Sequence, residues 1–218
     1  MVQNSTLTTV DDNRAGSLYD RIARLYDLTF KFNGYERSLE RYFHEHCVPL
    51  ESNARILDAG CGTGLLTLAM LSTLQRPARI TAIDLSASSL RKTRQAVGDI
   101  LKNSSHRVQF LQANLLALPF ADETFDFIAT SGALEYVSLR DGLGELARVL
   151  KPGGYLFHLP VRPAPASHFL ELLFRFKTHP PHEVDENTER YFRILSRYRF
   201  PATDIIGWTK LAIMAQKK

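Results

Sequence analysis

The chain has 218 residues, of which 44% are hydrophobic, and its formal net charge at pH 7 is +4. This length suits one α/β domain with a full core and is short for two, so we expect a single domain. The first residues, MVQNSTLTTVDDN, have no apolar run preceded by positive charge, and no stretch reaches the ~20 apolar residues of a membrane span. These features argue against a secretory signal or a membrane anchor and predict a cytoplasmic protein.

The cysteines and the charge distribution indicate the compartment of the protein and the kind of partner it could contact. The two cysteines, Cys47 and Cys61, are far apart in sequence and show no metal-ligand spacing, so we expect free thiols in a reducing compartment. Residues 161–218 hold 10 Lys and Arg against 6 Asp and Glu, so the positive excess lies in the carboxyl-terminal part. This part could face an anionic partner such as a membrane surface, or it could be a solvated basic surface.

The amino-terminal segment predicts helices. Residues 1–14 are polar, and we predict a disordered tail. Residues 15–50 carry two groups of apolar side chains at helical spacing, which predicts two amphipathic helices. The first group is Leu18, Ile22, Leu25 and Tyr26, and the second is Tyr35, Leu39, Tyr42 and Phe43.

A glycine-rich turn follows the first apolar run. The segment RILDAGCGTG spans residues 55–64 and precedes a helix-like stretch, so it predicts a strand, a tight turn and a helix start. A dinucleotide fingerprint would require a third glycine where Leu65 stands. A phosphate-binding loop would require Lys and then Ser or Thr after the last glycine, and two leucines follow instead. Nicotinamide and ATP are therefore poor ligands for this turn.

Asp84 ends the second predicted strand, next to the glycine turn. Its carboxylate oxygens suit the paired hydroxyls of a ribose. Asp is also a favoured helix N-cap, and residues 86–101 look helical. The glycine turn upstream favours the ribose role.

From residue 54 onward, strand-like runs alternate with helical stretches, which is typical of a parallel sheet with helices on both faces. The expected strands lie near 54–59, 79–84, 107–112, 125–130 and 154–161. We interpret residues 151–154, Lys-Pro-Gly-Gly, as a helix stop and a turn into the fifth strand. Ligands of such sheets bind at the carboxyl ends of the strands, where the polar motif residues converge.

Five motifs in order resemble those of class I S-adenosylmethionine-dependent methyltransferases: ILDAGCGTG, AIDLS, ANLLALPF, FDFIATSGALEYV and RVLKPGG. The resemblance covers about residues 55–161. The earlier segment YDRIARLYD is similar to the opening of the ubiquinone/menaquinone-biosynthesis methyltransferases. The resemblance implies a Rossmann-like seven-stranded sheet, mostly parallel with an antiparallel last strand. It also implies a helical lid at 15–50 and a core at 51–218 with a substrate-facing insert at about 162–200.

The resemblance further implies S-adenosylmethionine as the cofactor, with no metal. Asp58 and the glycine turn would contact its methionine portion, Asp84 its ribose, and Leu85 its adenine. Asn114 stands where the family usually has Asp. The implied cofactor-binding residues are Asp58, Gly60, Cys61, Gly62, Gly64, Asp84, Leu85, Asn114, Leu115 and Ser131, with Tyr19 and Tyr26 in the lid.

The acceptor side is less defined by the sequence. Glu135 and Tyr136 occupy a place that often faces the substrate in the resembled enzymes. His158, near the end of the fifth strand, could accept a proton from the acceptor, although a lone strand histidine is more often a packed residue. We take His158, Tyr136 and Glu135 as the candidate catalytic residues.

These motifs predict a methyltransferase that acts on a small molecule or lipid, with a quinone precursor or an amine-bearing headgroup as acceptor. An RNA or protein methyltransferase and a non-catalytic cofactor-binding protein are the alternatives. Nucleic acid is an unlikely partner because no RNA-binding module and no Asn-Pro-Pro-aromatic signature is present. The apolar stretch 169–177 and the arginines after it could meet a lipid surface or a long-chain acceptor. They could equally form a helix over the sheet edge with solvated arginines.

Overall fold

A computed structural model describes residues 34–46, 48–164, 167, 171–172, 176–204 and 206–218. The predicted tail, the first predicted helix and most of the apolar stretch 169–177 lie outside the described residues. Tyr19 and Tyr26 lie outside them too, so their role in a lid stays a prediction.

Helices and strands alternate along most of the described chain, as the sequence predicts, except that β4 follows β3 with no helix between them. The elements are α1 (Tyr35–Glu45), β1 (Ala54–Ala59), α2 (Leu65–Thr73), β2 (Ala78–Asp84), α3 (Ala87–Lys102), β3 (Arg107–Gln112), β4 (Phe125–Ser131), α4 (Leu139–Val149), β5 (Leu150–Leu159), α5 (Pro181–Tyr191), β6 (Phe192–Tyr198), α6 (Ile206–Thr209) and β7 (Ala212–Lys217). A short 3₁₀ helix, Leu134–Tyr136, lies between β4 and α4.

The strands form one seven-stranded sheet in the order β3-β2-β1-β4-β5-β7-β6. β7 runs antiparallel to both of its neighbours, and the other pairs are parallel. The predicted fold class is confirmed. Consecutive strands proceed outward from β1 to β3, and the chain then returns to place β4 on the other side of β1. The strand order reverses at this point, where open α/β sheets bind ligands.

The core lies on both faces of the sheet because the central strands are apolar at successive positions. Leu57 and Ile128 pack in one cluster, and Ile56 and Phe127 in the other. Helix α2 is apolar on nearly every side and packs on the sheet, whereas α1 covers α2 and buries Tyr35, Leu39 and Tyr42. The predicted helix over this second apolar group is confirmed.

The fifth strand differs from the prediction. It begins at Leu150, directly after α4, so the Lys-Pro-Gly-Gly segment lies inside the strand instead of forming the turn before it. The pairing of β4 with β5 shifts between Phe125 and Phe127, and Gly153 has a φ of 72°. Between these two pairs β5 advances five residues and β4 only two, so the Lys-Pro-Gly-Gly segment bulges out of the pairing with β4. At the other end of the predicted insert, residues 181–198 form α5 and β6.

Candidate functional site

The glycine turn that follows β1 is hydrogen-bonded to β2. The N–H groups of Gly60 and Cys61 both donate to the Ile83 carbonyl, at 3.0 and 2.8 Å, and the Gly64 N–H donates to the Cys61 carbonyl at 2.9 Å. These N–H groups are satisfied inside the protein. The contribution of the turn to a ligand is therefore mainly its shape.

Two glycines give the turn that shape for different reasons. Both have positive φ, 75° at Gly60 and 54° at Gly62, which favours glycine. A Cβ at Gly60 would overlap the Ala133 side chain, so this glycine allows the turn to pack against the segment after β4. A Cβ at Gly62 would meet no atom of the described residues within 4 Å. The space beside Gly62 is open to a ligand.

Cys61 and Gly64, both predicted as cofactor contacts, face the protein. The Cys61 thiol is buried 3.9 Å from the Thr93 hydroxyl, and burial raises the pKa of this thiol. Gly64 has a φ of 96°, and a Cβ there would lie 2.8 Å from the Thr93 methyl carbon. Thr93 also donates to the Gly62 carbonyl at 2.8 Å. Sequence analysis missed Thr93, whose hydroxyl secures the turn from helix α3.

Asp84 lies across the turn at the end of β2. Its Oδ2 accepts from the Gly62 N–H and its Oδ1 from the Ser86 N–H, both at 2.8 Å. Burial raises the pKa of Asp84, and these two hydrogen bonds oppose the shift. The N-cap of α3 is Ser86, which accepts from the Ser89 N–H at 3.2 Å, so Asp84 is not the cap. Each carboxylate oxygen keeps a lone pair for a further donor.

Asp58 lies beneath the turn and is fully buried. The Thr67 hydroxyl donates to its Oδ2 at 2.5 Å, while Oδ1 has no partner among the described residues. Burial raises the pKa of Asp58 to about 7, and the Thr67 hydrogen bond opposes this rise. A buried acceptor without a partner is unfavourable unless a ligand supplies a donor or a cation. The open space at Gly62, the lone pairs of Asp84 and this orphan oxygen fit a nucleoside that carries an ammonium group.

The predicted adenine side lies at the end of β3. The Ala113 N–H donates to the Asp84 carbonyl at 3.2 Å, which holds this end beside β2. Leu85 is 70% exposed and offers an apolar surface. Asn114 is exposed, and its Oδ1 accepts from the Leu116 N–H at 2.9 Å, so one lone pair of the predicted adenine acceptor is already used. The Leu115 side chain packs in the core.

Ser131 ends β4 next to the turn, as predicted. Its hydroxyl lies 3.4 Å from the hydroxyl of Tyr35 on α1. Burial raises the pKa of Tyr35 above its ordinary value. The apolar helical spacing that includes Tyr35 carries no sign of this polar contact.

The candidate catalytic residues differ in exposure. Tyr136 is 50% exposed, and its ring centroid lies 5.8 Å from that of Phe176. Glu135 is buried; its Oε1 accepts from the Val161 N–H at 2.5 Å, and its Oε2 has no partner among the described residues. His158 is fully buried in β5, which lowers its pKa to about 3 and keeps the ring neutral. Its burial agrees with the alternative that His158 is a packed residue of the strand. Neither of its ring nitrogens, however, has a hydrogen-bond partner in the described part of the chain.

A lysine that sequence analysis missed lies beside these residues. Lys210 is only 2% exposed, and its Nζ is 3.4 Å from the Leu159 carbonyl. Burial lowers the pKa of Lys210, and Glu135 opposes this shift. In the sequence it is one lysine before an apolar strand, a pattern that gives no functional signal.

The carboxyl-terminal arginines are mostly paired on the surface. Arg190 contacts Glu186 at 2.8 Å and Arg197 contacts Asp185 at 3.0 Å. Arg193 donates to the Gln216 side chain at 2.7 Å. These contacts agree with the alternative of a solvated basic surface.

The described ranges lack two features. They contain no group of three or more His, Cys, Asp and Glu side chains placed to hold a metal ion. They also contain no helix with the length and hydrophobicity needed to cross a bilayer.

Known proteins match both the sequence and the fold. A family model described as a methyltransferase domain matches residues 56–154. A demethylmenaquinone methyltransferase of Corynebacterium urealyticum is 32% identical over 196 residues, which cover 87% of this chain and 79% of that protein. A demethylmenaquinone methyltransferase of Lactiplantibacillus plantarum is 34% identical over 143 residues, 64% of this chain and 59% of that protein.

The solved structures include geranyl diphosphate C-methyltransferase from Streptomyces coelicolor, in complex with Mg²⁺, geranyl-S-thiolodiphosphate and S-adenosyl-L-homocysteine. The two structures superpose with a TM-score of 0.67 at 17% sequence identity. The matched region covers 84% of this chain and 76% of the other chain. At this identity the likeness shows the fold. Of the two curated relatives, the chain spans more than three quarters of one and about three fifths of the other.

Proposed function

Because the chain belongs to the class I S-adenosylmethionine-dependent methyltransferases, in the group of the ubiquinone/menaquinone-biosynthesis enzymes, we propose that it methylates a ring carbon of a reduced quinone precursor. The observation that carries this proposal is the match to the Corynebacterium demethylmenaquinone methyltransferase, because it extends over 87% of this chain and so beyond the cofactor half. An amine-bearing lipid headgroup is the other acceptor that the sequence predicts.

Bound S-adenosylmethionine supplies a methyl group that is already electrophilic. The protein then has to bind the cofactor and the acceptor, to orient them for transfer, and to exclude water from the site. Asp84 would accept hydrogen bonds from the ribose hydroxyls, which is supported by the lone pairs that remain on its two oxygens. Asp58 would attract the ammonium group through its orphan oxygen, directly or through water. The open side of Gly62 would admit the cofactor between these two carboxylates.

The acceptor would lie on the side of the turn away from α3, where Ala133 packs against Gly60. This segment is continuous with Glu135 and Tyr136, and β5 delivers His158 from the neighbouring strand. An aromatic ring can pack on the exposed Tyr136 side chain, whose hydrophobic surface would keep water from the methyl group.

We also propose that the protein is cytoplasmic and contacts the membrane surface peripherally, since a prenylated acceptor resides there. Leu172 is 83% exposed, which supports contact through this side chain. Sedimentation with phosphatidylglycerol vesicles should bring down the wild type and less of Leu172→Ser. Equal sedimentation of the two would contradict this contact.

The acceptor is tested with S-adenosylmethionine labelled with ¹³C in its methyl group. It is offered in parallel to an anaerobically reduced 2-prenyl-1,4-naphthoquinone, phosphatidylethanolamine vesicles and total RNA. We expect the naphthohydroquinone to gain one labelled methyl group with the carbon chemical shift of an aryl methyl. Label in the headgroup or the RNA, or in no fraction, would overturn the proposal. Asp84→Ala serves as the variant with impaired cofactor binding and should label little.

A further inference from the structure

Buried polar groups collect in one place behind the carboxyl ends of β4 and β5. Orphan polar atoms occur at Glu135 Oε2, at both ring nitrogens of His158 and at Nε2 of His179, as judged over the described residues. Lys210 and His179 both act on the pKa of His158, and Glu135 acts on the pKa values of Lys210 and Tyr35, so these groups share one electrostatic environment. The described residues do not supply partners for these atoms. Such groups are commonly completed by a ligand.

Lys210 connects this cluster to the segment that follows β4. The place where a Cβ would stand on Gly132 has a single neighbour within 4 Å among the described residues, the Lys210 Nζ at 3.0 Å. Gly132 has a φ of 67° and directly follows Ser131 at the end of β4. Its neighbour Ala133 packs against Gly60 of the cofactor turn. The amine therefore lies against Gly132, whose next residue, Ala133, packs on the cofactor turn.

Within the described residues, the amine of Lys210 makes one recorded hydrogen bond. Its hydrogen bond to the Leu159 carbonyl is long, at 3.4 Å, and an amine has further positions for hydrogen bonds. Glu135 supplies the nearby negative charge, and its Oε1 is held by the Val161 N–H. His158 stays neutral and adds no positive charge. Burial lowers the pKa of Lys210 and so favours the neutral amine, which can accept a proton and, once protonated, pair with an anion as an ammonium group.

We propose that Lys210, with Glu135 and His158, forms the subsite for the acceptor oxygen, where the Lys210 Nζ takes the proton of an aromatic hydroxyl and pairs with the oxyanion. This inference rests on the proposed methylation of a hydroquinone. An oxyanion raises the electron density on the adjacent ring carbon, which is the nucleophile that C-methylation needs.

The step balances in atoms and electrons. The hydroxyl O–H bond breaks and an N–H bond forms on Lys210. The oxygen electron pair moves into the ring, and the ring carbon forms a bond to the methyl group as the methyl–sulfur bond gives its electron pair to sulfur. The ring carbon then loses its proton to water, and its C–H electron pair restores aromaticity. The Lys210 ammonium finally returns its proton to the oxygen.

The subsite is tested with 1-naphthol as probe, added to the protein saturated with S-adenosylhomocysteine. Ultraviolet absorbance distinguishes naphthol from naphtholate, so the readout does not depend on turnover. In the wild type, bound naphthol should ionise at a pH at least about one unit below that of free naphthol, a tenfold effect. Lys210→Met should abolish this shift.

Lys217→Met is the matched control, because Lys217 also donates to a main-chain carbonyl, that of Leu150 at 2.7 Å, from the far end of β7. It should ionise naphthol as the wild type does. Lys210→Arg keeps a cation that can pair with the oxyanion, so naphthol should still ionise. Because the guanidinium does not exchange its proton, the rate of ¹³C-methyl transfer should fall.

Two outcomes overturn the subsite: naphthol that ionises equally in Lys210→Met and the wild type, and no naphthol binding to a wild type that has bound S-adenosylhomocysteine. A wild type that fails to bind S-adenosylhomocysteine contradicts the proposed function instead. Thermal melting checks the fold of Lys210→Met. If that variant does not fold, Glu135→Gln decides, since its amide oxygen can still accept from the Val161 N–H but lacks the charge that favours the ammonium. Naphthol should then ionise at higher pH, and an unchanged ionisation would overturn the subsite.

Discussion

Gly62→Ala tests whether the open side of the glycine turn is the cofactor site. The backbone at Gly62 is left-handed, with a φ of 54°, so alanine there costs about 1–2 kcal/mol of stability. The new methyl group meets no atom of the described residues within 4 Å, so it adds no clash within them. It projects instead into the space that the cofactor would occupy. Overpacking by one methyl group costs about 1–3 kcal/mol, which corresponds to an affinity about 5- to 150-fold weaker.

Gly153→Ala is the matched control for this experiment. Gly153 also has a left-handed backbone, with a φ of 72°, and its Cβ would come no nearer than 4.0 Å to the Gln216 side chain. It lies in the bulge of β5, near the start of that strand and away from the ligand edge. Both variants should lose similar thermal stability. Calorimetric titration with S-adenosylhomocysteine should show weaker binding only for Gly62→Ala, and equal affinities in the two variants would refute the placement of the site.

Other substitutions test the remaining parts of the site. Asp84→Ala should weaken S-adenosylhomocysteine binding by about 1–3 kcal/mol in the same titration, because it removes charged hydrogen bonds, and unchanged affinity would remove Asp84 from the site. Gly60→Ala should lower the melting temperature far more than Gly153→Ala, because its Cβ overlaps Ala133 and its φ is 75°; equal melting temperatures would show that this packing is unimportant. The folded pKa of Asp58, about 7, lies above its ordinary value of 3.8, so the folded protein binds the extra proton and Asp58 reduces stability as the pH rises from about 4 to 7. The melting temperature of the ligand-free wild type should therefore fall relative to that of Asp58→Asn over this range, and parallel pH profiles would contradict the buried carboxyl.

The sequence predicted the parts of the site that depend on neighbouring residues. The turn at 60–64 required glycine for its backbone and for close packing, and Asp84 ended a recognisable strand. Both features are local, so one segment of sequence shows them. The alternation of strands and helices likewise predicted the sheet.

Contacts between distant segments could not be predicted. Thr67, on the helix that follows the turn, donates to Asp58 in β1, and Thr93 on another helix donates to the Gly62 carbonyl of the turn. Lys210 precedes β7 and reaches Gly132 because β7 lies between β5 and β6 in the sheet. The sequence does not show this strand order. The bulge at Gly153 depends on the register between β4 and β5, which is set by pairing and not by composition.

The central claim is that S-adenosylmethionine binds between the glycine turn and Asp84. A crystal structure with S-adenosylhomocysteine measures this directly. Our account predicts electron density beside Gly62, with the ribose hydroxyls within hydrogen-bonding distance of the Asp84 carboxylate. Density at another location would contradict it, as would a crystal of the protein that binds no S-adenosylhomocysteine at saturating concentration.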